Sequence, residues 1–440
     1  MAWALAAMTG VATTGTMTML FGEGSTALAQ EEAPSDGFGG LAMPEGLPGE
    51  TSETATGRPV WRIVPSISVS ERYDSNVFFV PGPKTNDFVT TVYPQIRLEE
   101  QARLITGSLQ AGATGEVYVN NPELNYIGVN ANLDLSLDNA VKRLFPRASL
   151  RITDYFIYTP QPPAFLSPQA QLAGQSNVFA TGIQVVRADS IQNTATVTGA
   201  YTLTPIVSLR GSYAYGFIDF GDSLATPAEG TLFDTSYQNA TLGINGQVTR
   251  RDSVNVNYTY TKSNFGAGSG GVSEFTTHGI LLGWNHAFTP TLRGALTGGP
   301  TATDVGTGSV PLAFTGTASL TWTQRAANFT FLYTRAVTPS YSVAATALIS
   351  DTVGVSIASP LTARLSMSAV LNYARNESEV NQVPLSYESY GGTITFTYAL
   401  APRITALASY SYNWFNQTFE TGTSQFDRQL ATLTIRAEWR

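Results

Sequence analysis

Hydrolytic catalysis needs a nucleophile and a base within hydrogen-bond reach of each other, and histidine is the usual base. The 440-residue chain has two histidines, His278 and His286, and no cysteine. Both histidines fall in one strand-like segment, and no Gly-x-Ser-x-Gly elbow is present. Two histidines without thiolates also give a metal centre little material. The residue types therefore point away from an enzyme: no catalytic, cofactor-binding or metal-binding residue is singled out, and no cofactor is expected. A different chemistry is open to Arg97, Arg151, Arg210, Arg364 and Arg436. Each alternates with apolar neighbours, so each should face away from them, into a lumen. Rings of arginine in a pore attract anions. Glu99, Glu116, Asp134 and Glu438 share the inward side and should pair with some of these arginines. A lining of mixed charge predicts only weak selectivity.

Elements that could carry such a lining must be strands. Only 13% of residues are charged, against about 25% in soluble domains. Glycine (40), phenylalanine (22) and tyrosine (20) are abundant, and the mean hydropathy is −0.01. Past the N-terminus no run approaches the roughly 20 apolar residues of a membrane helix. This composition suits a transmembrane barrel, whose strands need apolar side chains only at alternate positions. A net charge of −8 argues against a nucleic-acid partner.

The alternation is explicit. Leu133, Leu135 and Leu137 alternate with Asp134, Ser136 and Asp138; Val254, Val256, Tyr258 and Tyr260 alternate with Ser253, Asn255, Asn257 and Thr259. Ile404, Ala406, Ala408, Tyr410, Tyr412 and Trp414 alternate with Thr405, Leu407, Ser409, Ser411 and Asn413. Period two over many residues reads as strand. Tight breaks (Thr204-Pro205, Arg250-Arg251-Asp252, Thr289-Pro290-Thr291, Ala401-Pro402-Arg403) alternate with long ones (73–86, 159–189, 219–233, 264–272, 303–310, 376–386, 416–427). Short periplasmic turns opposite long extracellular loops mark an outer-membrane barrel. The expected fold is all-β: a transmembrane up-and-down antiparallel β-barrel of about 18 strands, with 16 as the alternative even count. Residues 182–186 read as a further strand or as part of a folded loop. Arginines gather near the predicted turns and carboxylates at the opposite end. Loop 159–189, stiffened by Pro160, Pro162, Pro163 and Pro168, is the expected constriction or plug.

Residues 1–29 are small or apolar and end in Ala27-Leu28-Ala29, a small-x-small pattern that a signal peptidase reads. No Lys or Arg precedes the stretch, and Glu23 interrupts it. Residues 30–60, rich in Glu, Pro, Gly, Ser and Thr, read as a disordered periplasmic linker. The barrel then spans 61–440. Its last strand places Leu433, Ile435, Ala437 and Trp439 on one face, similar to the signal the barrel-assembly machinery recognises.

Several stretches carry a resemblance. They are Trp61-Arg62-Ile63-Val64-Pro65-Ser66-Ile67-Ser68-Val69-Ser70-Glu71, Tyr73-Asp74-Ser75-Asn76-Val77, Asn86-Asp87-Phe88 and Ala102-Arg103-Leu104. Later come Asp154, Tyr158-Thr159-Pro160, Arg187-x-Asp189 with Asn193, and Tyr201-Thr202-Leu203-Thr204-Pro205. Over about residues 61–440 the chain resembles the β-barrel porin type 2 family, which includes outer-membrane proteins associated with PEP-CTERM/exosortase exopolysaccharide loci. The resemblance implies a location in the outer membrane of a Gram-negative bacterium. It also implies a channel or export conduit for a surface polymer, working with polysaccharide-export components. A general diffusion porin and a non-conducting, partner-binding barrel are the alternatives. Outer-membrane lipid and lipopolysaccharide are the expected surroundings.

Overall fold

The computed structural model describes residues 60–101, 104–161, 188–223, 232–266, 274–306, 310–340, 346–378, 385–419 and 422–439. The expected signal peptide, most of the linker, most of loop 159–189 and the segment 182–186 lie outside the described residues.

Eighteen strands follow one another. The first six are β1 (Val60–Asp74), β2 (Asp87–Gln101), β3 (Thr106–Tyr118), β4 (Tyr126–Ser136), β5 (Ala148–Gln161) and β6 (Ala188–Thr204). Next come β7 (Val207–Ser223), β8 (Thr235–Gln247), β9 (Asp252–Phe265), β10 (Glu274–Ala287), β11 (Leu292–Asp304) and β12 (Leu312–Thr323). The last six are β13 (Asn328–Ser340), β14 (Thr346–Pro360), β15 (Leu365–Glu377), β16 (Ser386–Ala401), β17 (Ile404–Phe419) and β18 (Gly422–Glu438). Each pairs antiparallel with its neighbours in the chain, and β18 closes onto β1 from Ser66↔Glu438 to Asp74↔Leu430. The sheet is a closed up-and-down barrel with no free edge, as the alternation and the even count required.

Side chains alternate as the pleat demands. On β10, Ile280, Leu282 and Trp284 are exposed while Leu281 and Gly283 between them are buried. On β1, Trp61, Ile63 and Val69 are exposed while Ser66, Ser68 and Ser70 are buried. The outward surface is thus a band of large apolar side chains. Near the turn-bearing rim it carries Trp61, Tyr201, Trp284, Trp322 and Tyr398; nearer the other rim it carries Phe88, Tyr258, Phe314, Tyr390 and Tyr410. Covering this band stabilises by about 25 cal/mol per Å² of apolar surface.

The rims differ as expected. Turns at 205–206, 248–251, 288–291, 324–327, 361–364 and 402–403 share one rim with the start of β1 and the end of β18. That rim also has one longer connection, built around α1 (Asp138–Val141). In the turn after Thr204, the Thr204 hydroxyl oxygen accepts Ile206 N–H at 3.3 Å. The loop 416–427 expected at the other rim is replaced by strand: β17 and β18 pair as far as Phe419↔Gly422. The Asn416–Gln425 stretch has the polar composition of a loop because this hairpin stands clear of the apolar band. Polar side chains are tolerated on both of its faces.

Candidate functional site

The inner wall divides into two arcs. The alternation places Arg62, Arg72, Asp74, Asp87, Arg97, Glu99, Glu116, Asp134, Arg151, Arg210, Arg428, Arg436 and Glu438 inward, all on β18, β1–β5 and β7. Across β8–β17, among the described residues, the inward strand positions carry one charge, Arg293 beside a turn. The rest of that arc is largely Thr, Ser, Asn and Gly. Thr277, Thr297, Thr301, Thr315, Thr317 and Thr334 are buried in it, and the Thr301 and Thr315 hydroxyls bond each other at 2.6 Å.

The charged arc is largely self-neutralised. Arg97 Nε meets Glu99 Oε1 at 3.1 Å, and Arg62 approaches the same carboxylate at 3.8 Å. Arg151 Nε donates to Asp134 Oδ1 at 2.7 Å. Arg436 lies 3.7 Å from Glu438. Glu116 accepts Arg72 Nη2 and Tyr118 OH, each at 3.0 Å. It is 3% exposed, so it belongs to a sealed network and not to an open lining. Arg210 stands in register between Ala200 and Gly243 and makes no ion pair with a described residue; its Nε is buried without a hydrogen bond.

Arg364 departs from expectation. It lies in the exposed turn before β15, where Thr362 Oγ1 accepts the N–H of Arg364 at 3.2 Å and of Leu365 at 3.0 Å. That hydroxyl closes the turn and delays the strand, so Arg364 is not fixed on the lumen wall.

The neutral arc is shaped by glycine. Asn257 faces Gly243 across β8–β9, and Asn255 faces Gly283 across β9–β10. A Cβ on Gly243 would stand 1.9 Å from Asn257 Oδ1, and one on Gly283 would stand 2.3 Å from Asn255 Oδ1. The amides therefore lie flat against bare backbone, and Asn257 Nδ2 donates to Asn255 Oδ1 at 2.7 Å. On the charged side Tyr93 crosses Gly112 in the same way and donates to Asn130 at 3.0 Å. Flattened amides and short hydroxyls keep the wall low and uncharged.

The histidines face outward. His278 Nδ1 and the Tyr258 hydroxyl share a hydrogen bond of 2.8 Å. His286 Nδ1 lies 2.7 Å from Asp252 Oδ1, which also accepts Trp284 Nε1 at 3.1 Å. The fold sets the two histidines at opposite edges of the apolar band instead of bringing them together. Among the described residues no cluster of three metal-ligating side chains occurs.

Sequence reasoning missed the packing of the loop-bearing rim. Val77 and Leu124 pack with Val89 and Tyr118. Phe79 and Leu385 pack with Leu348, Tyr387, Phe415 and Phe426. Phe233 and Val305 pack with Ile218, Phe265, Phe275 and Ala347. Short loop segments thus turn apolar side chains back over the strand ends. Hydrophobic residues inside predicted loops were the available signal.

No family model and no curated protein matches the chain. Among solved structures, it is similar to OccK3 (OpdO) of Pseudomonas aeruginosa at 10% identity and TM-score 0.44, covering 86% of this chain and 96% of that one. OccK11 (OpdR) of the same organism matches at 13% identity and TM-score 0.43, with the same coverages. The FrpB iron transporter from Neisseria meningitidis matches at 6% identity and TM-score 0.42, covering 85% of this chain and 81% of that one.

Proposed function

We propose that this chain is an outer-membrane channel for uncharged, hydroxylated solutes, with its turn rim in the periplasm and its loop rim outside the cell. One observation carries the reading: a closed barrel bears an outward apolar band edged by aromatic residues around an inner wall of hydroxyls and amides. Lipid suits the first surface and water the second. In water the exposed band would be a large aggregation hazard. A neutral arc of Thr, Ser and Asn can exchange hydrogen bonds with sugar hydroxyls as they shed water, while the paired charges opposite offer little net field to an ion.

Export of a surface polysaccharide is the narrower form of this reading. It draws on the resemblance of residues 61–440 and on the uncharged arc. Diffusion of small neutral solutes uses the same wall. In either case lipopolysaccharide surrounds the loop-side edge, where Arg335 and Tyr333 both bond Asp351 at 2.6 Å, and the barrel-assembly machinery inserts the chain through β18.

The test is reconstitution. Proteoliposomes should swell in neutral mono- and oligosaccharides, with rates falling as the sugar lengthens for a diffusion porin and persisting for a polymer conduit. Recovery of the protein in a detergent-free soluble fraction would end the membrane reading.

A further inference from the structure

The loop between β1 and β2 folds back into the mouth of the barrel. Asp74 ends β1, and its Oδ1 accepts the N–H of Asn76 at 3.0 Å. The Asn76 side chain then holds Val80 at both groups, accepting its N–H at 3.2 Å and donating to its carbonyl at 2.9 Å. This turn carries Phe79 into the left-handed region, at φ +57°. A bulky side chain seldom adopts that conformation, so its surroundings must hold it there.

They do so from two directions. Phe79 is buried against Leu348, Tyr387, Phe415 and Phe426. The Arg428 guanidinium lies over its ring, 4.3 Å from the centroid, and bonds Asp74 through Nε at 3.0 Å. Two residues before Phe79, Val77 is fully buried against the β2–β3 wall. A loop of a dozen residues thus ties the β2–β3 wall to the β14–β18 wall across the seam where the barrel closes. This loop therefore has two buried apolar anchors, one on each wall.

We infer that the β1–β2 loop sets the aperture of the extracellular mouth, with Phe79 as its seat and Arg428 as the clasp that holds it. The inference builds on the channel reading and names the residues that limit passage. The mouth widens when Phe79 leaves the aromatic wall.

Because the chain has no cysteine, Ser411→Cys reports on access from outside. Ser411 is buried on the inner face of β17, on the same wall as Phe415. In intact cells a membrane-impermeant maleimide should label this cysteine several-fold faster when Phe79→Ala is added, and single-channel conductance should rise in the same variant. Equal labelling in both backgrounds, with both barrels heat-modifiable, overturns the inference. Faster labelling without conductance in either background upholds the loop's role and sinks the channel reading instead. Should Phe79→Ala fail to assemble, Lys84→Cys with Asp427→Cys gives the converse test. Lys84 of the loop pairs with Asp427 of β18; losing that pair should give the double variant a wider open level in planar bilayers, and tying the two cysteines with a reducible bis-maleimide should remove that level until reductant restores it. An open level that ignores the tie overturns the inference.

Discussion

Asn257 lies across the bare backbone of Gly243, its register partner on the neighbouring strand. Gly243→Ala forces the amide off the wall into the lumen. The change should cost about 1–3 kcal/mol, the usual range for overpacking, and narrow the pore. Asn257→Ala added to Gly243→Ala should return most of that loss, a coupling of about 0.5–3 kcal/mol between contacting residues. Urea midpoints of the refolded barrel read both effects; additive losses would show that the two residues do not touch.

The two faces of β17 should respond oppositely to charge. Ala408 faces outward and Ser409 inward. Ala408→Arg should cost about 2–4 kcal/mol if it meets lipid at mid-depth, whereas Ser409→Arg should assemble normally. Outer-membrane yield and the heat-induced mobility shift on gels measure the difference, and equal yields would remove the lipid from that face.

Sidedness follows from the rims. Glu123 and Arg325 are exposed at opposite ends of the barrel. A cysteine replacing Glu123 should react with an impermeant maleimide on intact cells, and one replacing Arg325 only after lysis. The reverse pattern would turn the barrel over.

Selectivity should be governed by unpaired charge. Arg151 is neutralised by Asp134, so Asp134→Asn should raise anion preference, while Arg210→Gln should lower the small preference of the parent. Reversal potentials in a salt gradient report both. No shift in either would mean that ions do not pass this part of the wall.

The Asp74–Arg428 pair is nearly inaccessible, with side chains 1% and 5% exposed. Asp74→Ala should destabilise by about 3–5 kcal/mol, because removing one partner leaves a buried charge uncompensated. A detergent-refolding titration measures this. A loss below about 1 kcal/mol, the scale of a surface pair, would show that water reaches Arg428.

Strands were legible because a closed barrel with an apolar outer face and a polar inner wall writes those two environments into alternate residues. Leu133 and Leu135 face outward, and Asp134 turns inward to Arg151, as their spacing indicated, whereas β4 ends at Ser136 and Leu137 caps the short helix that follows. The tight turn at Pro205 was legible too, since a local side-chain bond closes it. Two kinds of feature were not. Above the apolar band both faces of a strand meet water, so the pairing of Asn416 with Gln425 left no periodic trace. Contacts between distant parts of the chain, such as Phe79 on Phe426, depend on which strand ends the closed barrel brings together. Arg364 shows the cost of locating a strand by alternation alone: a threonine hydroxyl moved its start.

The junction of β1 with β18 has a consequence for how the molecule comes into being. β1 pairs with β2 along its whole length but with β18 only from Ser66 to Asp74, and no peptide links these two strands directly. Every other contact between strands can form as a local hairpin while the chain is still arriving. This one joins the earliest strand to the latest, which makes it entropically the most expensive and the slowest. Until it forms, both edge strands offer unpaired backbone. The seam is therefore where a half-made barrel is vulnerable and where a helper protein can lend a temporary strand. A chain shortened by its final strand would lose its ring entirely and not merely one stave.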